Sequence, residues 1–180
     1  MPRHFPSAAH GRRAGRGAAR RLIVGALGAI CSILPSASHA SAADKVRISA
    51  LSDLSFGIIT NFAADSVRSE SLCLYAKSPP LDQYRITASG SGPGGSFDLT
   101  SGSDNLPYEV QWSASAGQSV GVPLMANQPL TAQQATASVD DCSKGAATTA
   151  SLVVVVRSAA VSAASSGSYT GTLTLLVAPE

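Results

Sequence analysis

Residues 106–112, Leu106-Pro107-Tyr108-Glu109-Val110-Gln111-Trp112, place an apolar side chain at every even position. Side chains of a strand alternate between faces, so the run predicts a half-buried strand with Glu109 and Gln111 turned outward. The same alternation recurs on both sides of it. Val46, Ile48 and Ala50 alternate with Arg47 and Ser49, and Leu54, Phe56 and Ile58 keep that parity. Leu72 and Leu74 flank Cys73, and Tyr84, Ile86 and Ala88 alternate with Arg85 and Thr87. Phe97 and Leu99 follow the turn-rich stretch Gly90-Ser91-Gly92-Pro93-Gly94-Gly95. Downstream, Ser151 to Arg157 (SLVVVVR) reads as a strand buried on both faces. Tyr169, Gly171, Leu173, Leu175 and Val177 then share one face, with Thr170, Thr172 and Thr174 on the other. Only Ala132 to Ala137 suggests a helix, a short one. Strand-length runs separated by regular turn signals predict an all-β sandwich. No repeat or linker divides residues 41–180, which are expected to form one domain.

The first 40 residues have a different composition. They carry six of the thirteen Lys and Arg, all three His and no acidic residue. Basic residues from Arg3 to Arg21, the apolar stretch Leu22 to Leu34 and the small-residue end Ser36-Ala37-Ser38-His39-Ala40 predict a secretory signal, cleaved after Ala40. Cys31 follows the bulky Ile30, which argues against lipidation, and Arg20-Arg21 lacks the flanks of a twin-arginine signal. Thirteen residues are too few to span a bilayer, which needs roughly 20, and no later run is longer. The expected mature chain is exported and not inserted in a membrane. It keeps seven basic residues against eleven acidic ones, a net charge of −4. Nucleic-acid binding calls for a basic patch, which this balance does not supply.

Removing the leader also removes most catalytic chemistry. Without His, neither Ser-His-Asp nor Cys-His nucleophile systems nor His-based zinc sites can be built. Asp140-Asp141 beside Cys142 reads as a solvated acidic turn rather than a carboxylate pair for metal or acid–base work. Asp98, Asp104 and Glu109 lack the spacing of an EF-hand calcium loop. Ser89 to Gly95 is glycine-rich, but no G-x-x-x-x-G-K-[ST] pattern or helix follows to cradle phosphate. Trp112 shares its face with Leu106, Tyr108 and Val110, so it belongs to the core. No cofactor or metal is expected, and the chain is read as non-enzymatic. Cys73 and Cys142 form an even pair in an oxidising compartment, for which a structural disulfide is the default.

Several of these runs together resemble the spore coat protein U-like family, which includes subunits of archaic chaperone–usher pili. The resemblance is carried by Leu54-Ser55-Phe56-Gly57, Leu72-Cys73-Leu74-Tyr75, Tyr84 to Gly90, Leu106 to Trp112, and Gly167-Ser168-Tyr169-Thr170-Gly171-Thr172-Leu173-Thr174-Leu175. It covers nearly all of residues 41–180. It implies an Ig-like sandwich that is incomplete within one subunit. A neighbouring subunit's N-terminal segment supplies the missing strand, and a periplasmic chaperone and usher handle the subunit beforehand. By this resemblance Val46, Ile48 and Ala50 are donor side chains, and Tyr169, Leu173, Leu175 and Val177 border the acceptor groove. Many members carry a cysteine just before the first strand, where this chain has Ser49, Ala50 and Ser52; its disulfide therefore pairs differently.

The leading expectation is thus a subunit of a pilus or surface fibre (a fimbrium serving adhesion), assembled by donor-strand exchange. The alternative is a self-contained periplasmic or secreted Ig-like binding module that uses its loops. Pairing of Asp44 to Leu51 within its own domain is the feature that separates them.

Overall fold

The computed structural model describes residues 44–180, which lie within one contact unit, Ala40–Glu180. The expected signal segment, with Cys31 and Arg20-Arg21, lies outside the described residues. Ten strands and one short helix follow one another: β1 (Lys45–Ser49), β2 (Ser66–Lys77), β3 (Gln83–Gly90), β4 (Asp98–Ser101), β5 (Asp104–Pro107), β6 (Glu109–Ser113), β7 (Val122–Leu124), β8 (Pro129–Gln134), β9 (Ala150–Val156), α1 (Ser158–Ala163) and β10 (Leu173–Pro179). The fold is all-β, with the strands of each sheet antiparallel to their neighbours. One sheet has the order β1-β2-β9-β6-β7, a second β10-β3-β8, and β4 and β5 form a separate hairpin.

β9 is the middle strand of the larger sheet and is buried at every position. Ala150, Leu152, Val154 and Val156 join the core cluster, while Ser151 turns the other way. There Ser151 Oγ donates to the Ser115 carbonyl at 2.9 Å and accepts the Gln118 N–H at 3.0 Å, so a loop covers that face. Burial on both sides explains the unbroken valines, because neither face meets water. The run 106–112 keeps its predicted parity, with Leu106, Tyr108, Val110 and Trp112 all buried, but it is split between β5 and β6 at Tyr108.

The two sheets meet through Tyr84 on β3 and Trp112 on β6. Their rings stand edge to face, with centroids 6.4 Å apart. The Trp112 indole Nε1–H donates to the Tyr84 hydroxyl at 2.9 Å, satisfying both polar tips inside the core. Burial pushes the Tyr84 hydroxyl up to about 12.

Cys73 and Cys142 are disulfide-bonded, joining β2 to the loop before β9 across 69 positions. That loop is also tied to β2 by Thr149. Its hydroxyl accepts the Leu74 N–H and donates to the Leu74 carbonyl, both at 2.9 Å.

Three expectations are corrected. Ala132 to Ala137 is not helical: β8 runs through Gln134 and pairs with β3. The single α-helix among the described residues lies instead at Ser158–Ala163, where apolar alternation gave no sign of it. Its first N–H is capped from a distance, Ser158 N–H donating to Asp65 at 2.8 Å. Leu54, Phe56 and Ile58 form no strand: Leu54 and Phe56 keep the inward parity and pack on the core, but past the left-handed Gly57 the parity is lost and Ile58 is 92% exposed.

Candidate functional site

β10 is an edge strand. β3 pairs with one side of it from Leu173↔Gly90 to Pro179↔Tyr84, and among the described residues no strand pairs with the other. Beside β10 opens a groove of about 1190 Å³. Its floor is apolar: Leu152, Val154 and Val156 from β9, with Leu99, Leu106 and Tyr108 from the hairpin and its exit. Leu173 and Leu175 of β10 form one wall together with Tyr169, and the segment from Leu51 to Ile59 forms the other. Val161 and Ala164, on and just after α1, also line it.

An apolar trough beside an open edge can bind one kind of ligand well. Unpaired N–H and C=O groups recruit an extended backbone, and the trough takes every second side chain of it. Three of the four residues expected to border the groove, Tyr169, Leu173 and Leu175, line it. Val177 packs against the core cluster but is not part of the lining.

The expected donor residues are placed in the domain's own sheet. β1 pairs antiparallel with β2, Val46 opposite Ala76 and Ile48 opposite Leu74, and both side chains pack on the domain's own core. Ala50 is exposed and leaves the strand at φ +62°. Asp140, in the loop held by Cys142, accepts from Lys45 at 2.5 Å and lies 3.7 Å from Arg47, fixing the outward face of β1. For residues 46–50 to serve another copy, β1 must first leave β2.

Asp104 is exposed at the start of β5, and the other acidic candidates are engaged in ion pairs or local hydrogen bonds. Lys45 holds the Asp140 carboxyl below its usual range, and Ser143 does the same for Asp141. Arg157 donates to Glu109 from Nε at 2.8 Å and also from Nη2, and to Asp65 at 2.7 Å. Asp98 accepts from Ser96 Oγ at 2.5 Å. Among the described residues no three His, Cys, Asp or Glu side chains gather as a metal site. Of Ser89 to Gly95, the first two residues end β3 and the rest turn towards β4, tightly, because a Cβ at Gly90 would sit 2.1 Å from the Ser96 carbonyl oxygen. Among the described residues no helix is long and apolar enough to cross a membrane.

Sequence reasoning missed Arg68 and Glu70, which tie the Leu51–Ile59 wall to β2. Arg68 Nε donates to the Ser55 carbonyl at 3.1 Å and Nη2 to the Phe56 carbonyl at 3.3 Å, while Glu70 accepts the Ser52 N–H at 2.7 Å. A signal was present. Leu72, Leu74 and Ala76 set the inward parity of β2, and Arg68 and Glu70 share it; charges on the inward parity mark an uncovered strand end.

No family model matches this chain, and no curated protein matches it.

Proposed function

We propose that this protein is a structural subunit that assembles by strand addition, an extended segment of a neighbouring copy lying in the groove along β10. The carrying observation is the coincidence of an apolar trough with an open strand edge. The resemblance to spore coat protein U-like subunits supports the same reading and adds export, a periplasmic chaperone and usher, and a surface fibre as the product. On this reading the protein is not an enzyme. The donor is residues 44–50, with Val46, Ile48 and Ala50 entering the groove after β1 exchanges its own β2 for the neighbour's β10.

A second reading is favoured by a specific observation. Because β1 is paired in its own domain, the sandwich can also work as a self-contained exported binding module. The two separate on one experiment. Chemical unfolding of the protein, disulfide intact, is followed with and without a synthetic peptide of residues 41–52. A strand acceptor is stabilised by the peptide, by about 2.7 kcal/mol at a hundred times its dissociation constant. A cooperative monomer indifferent to the peptide rules out the fibre reading.

A further inference from the structure

The wall of the groove from Leu51 to Phe56 lies alongside β2 without a backbone ladder. β1 pairs with β2 down to Ser49↔Cys73. The same antiparallel register, extended, sets Ser52 opposite Glu70, and those two residues do meet, through the Glu70 carboxylate. Farther along, Arg68 reaches the Ser55 and Phe56 carbonyls and lies over the Phe56 ring, 5.7 Å from its centroid. Side chains therefore hold the segment in β1's register at a distance that a ladder would close. Two left-handed residues bracket it, Ala50 at φ +62° and Gly57 at φ +63°. For glycine that conformation is free; for alanine it is uncommon. The outer edge of β2 beside it stays open, with Val67, Arg68 and Ser69 exposed. The second Glu70 oxygen is buried without a partner.

We infer that, in a subunit whose own β1 is still paired with β2, Leu51–Phe56 is a strap that closes onto β2 in β1's register when an apolar strand lies in the groove, making Lys45–Phe56 one continuous strand. Closure sets Leu51 opposite Ser71, Asp53 opposite Ser69 and Ser55 opposite Val67. Leu54 and Phe56 keep the inward parity of Val46 and Ile48, so closure needs no register slip. The coupling is competitive. Leu54 and Phe56 now cover part of the groove floor, which favours the open position. A strand in the groove takes over that cover and leaves the strap free to gain ladder hydrogen bonds and relax Ala50. The link to groove occupancy rests on the strand-acceptor reading; the hinge at Ala50 does not.

Hydrogen exchange with residue-level readout tests both parts. The protein, disulfide intact, is measured with and without the 41–52 peptide, alongside Ala50→Val and Ala50→Gly variants. A β-branched residue resists positive φ, so Ala50→Val closes the strap with no peptide and slows exchange at residues 51–56 by about tenfold. Ala50→Gly does not slow it. With peptide, slowed exchange at β10 reports uptake in the groove, and residues 51–56 slow with it. Protection at β10 with none at 51–56 overturns the strap as a response to occupancy. No protection at β10 defeats the strand-acceptor reading instead, and the Ala50 variants then decide the hinge alone. Unchanged exchange in Ala50→Val overturns the hinge.

Discussion

Trp112 and Tyr84 close a hydrogen bond of 2.9 Å between the two sheets, each the only polar tip of its ring and both fully inside the core. Neither group has water to fall back on. Tyr84→Phe leaves the indole N–H buried and unpaired, and Trp112→Phe does the same to the hydroxyl while opening a cavity. An unsatisfied buried partner costs about 1–3 kcal/mol. Urea unfolding should show that loss for Tyr84→Phe and a larger one for Trp112→Phe. The double variant should lose less than the sum, because the second change removes the orphan left by the first.

The same tyrosine predicts an alkaline limit. Its ordinary value is 10.0 and burial raises it to about 12 in the folded protein. A raised value means the unfolded chain gives up its proton first, so the stabilisation is intact below pH 10 and drains away between pH 10 and 12. Thermal melts across that window should fall steeply for the natural protein and less steeply for Tyr84→Phe.

At the acid end the sign reverses. Asp65 is held below the usual carboxylate range by the Ser158 N–H and by Arg157, and Glu109 by Arg157. Stability linked to them is present above an unfolded value of about 4 and is lost as pH falls through the folded ones. Asp65 caps α1, which lines the groove, so amides of α1 should lose exchange protection first on acidification. Arg157→Ala should flatten that acid limb.

Replacing Cys73 and Cys142 together by Ser should lower stability by about 2–4 kcal/mol, as expected for opening a loop this long. The melting temperature measures it. Because the bond also anchors the loop that carries Asp140, the double variant should expose β1 to exchange well before global unfolding. Uniform protection of β1 up to the melting point would show that the loop and strand are independent.

Leu175→Asp puts a charge in the groove wall and leaves the pairing of β1 with β2 in place, although Leu175, like Ile48, packs on the core cluster. A copy carrying it should donate to a neighbour but fail to accept, and so cap growing fibres at low stoichiometry. Ile48→Asp acts on the donor instead: Ile48 lies in the β1–β2 ladder opposite Leu74 and packs on the core, so that variant should both loosen β1 and impair donation. Light scattering of mixed populations distinguishes a cap from a merely unstable subunit.

Much of the sandwich was legible because burial and period agree. Trp112 and Tyr84 sit where alternation put them, and the valines of β9 are buried on both faces as their unbroken run predicts. The segment Leu54-Phe56-Ile58 misled because parity alone cannot see the backbone turn at Ala50, and an alanine gives no warning of positive φ. The helix Ser158–Ala163 escaped notice because its cap is Asp65, remote in sequence. β7 is only three residues long, below what a period can reveal, and β8 looked helical because Ala and Gln favour helices while its pairing with β3 overrides them. The groove was legible only through the residues of its wall. Its floor is built from Leu99, Leu106 and Leu152, which read simply as core, and only the third dimension shows that they lie together beneath one groove.

The pairing of β3 with β10 has a kinetic consequence. Tyr84 to Gly90 meets Leu173 to Pro179, and Ser66 to Leu72 meets Ala150 to Val156. These two pairings join segments more than half the described chain apart, and only β6 and β7 add a local hairpin to either sheet. Non-local pairing of this kind makes the conformational search slow and leaves apolar strand edges bare while it runs. The half-made sandwich is therefore a stickier object than the finished one, and its yield in a test tube should fall with protein concentration long before its final stability becomes the limit.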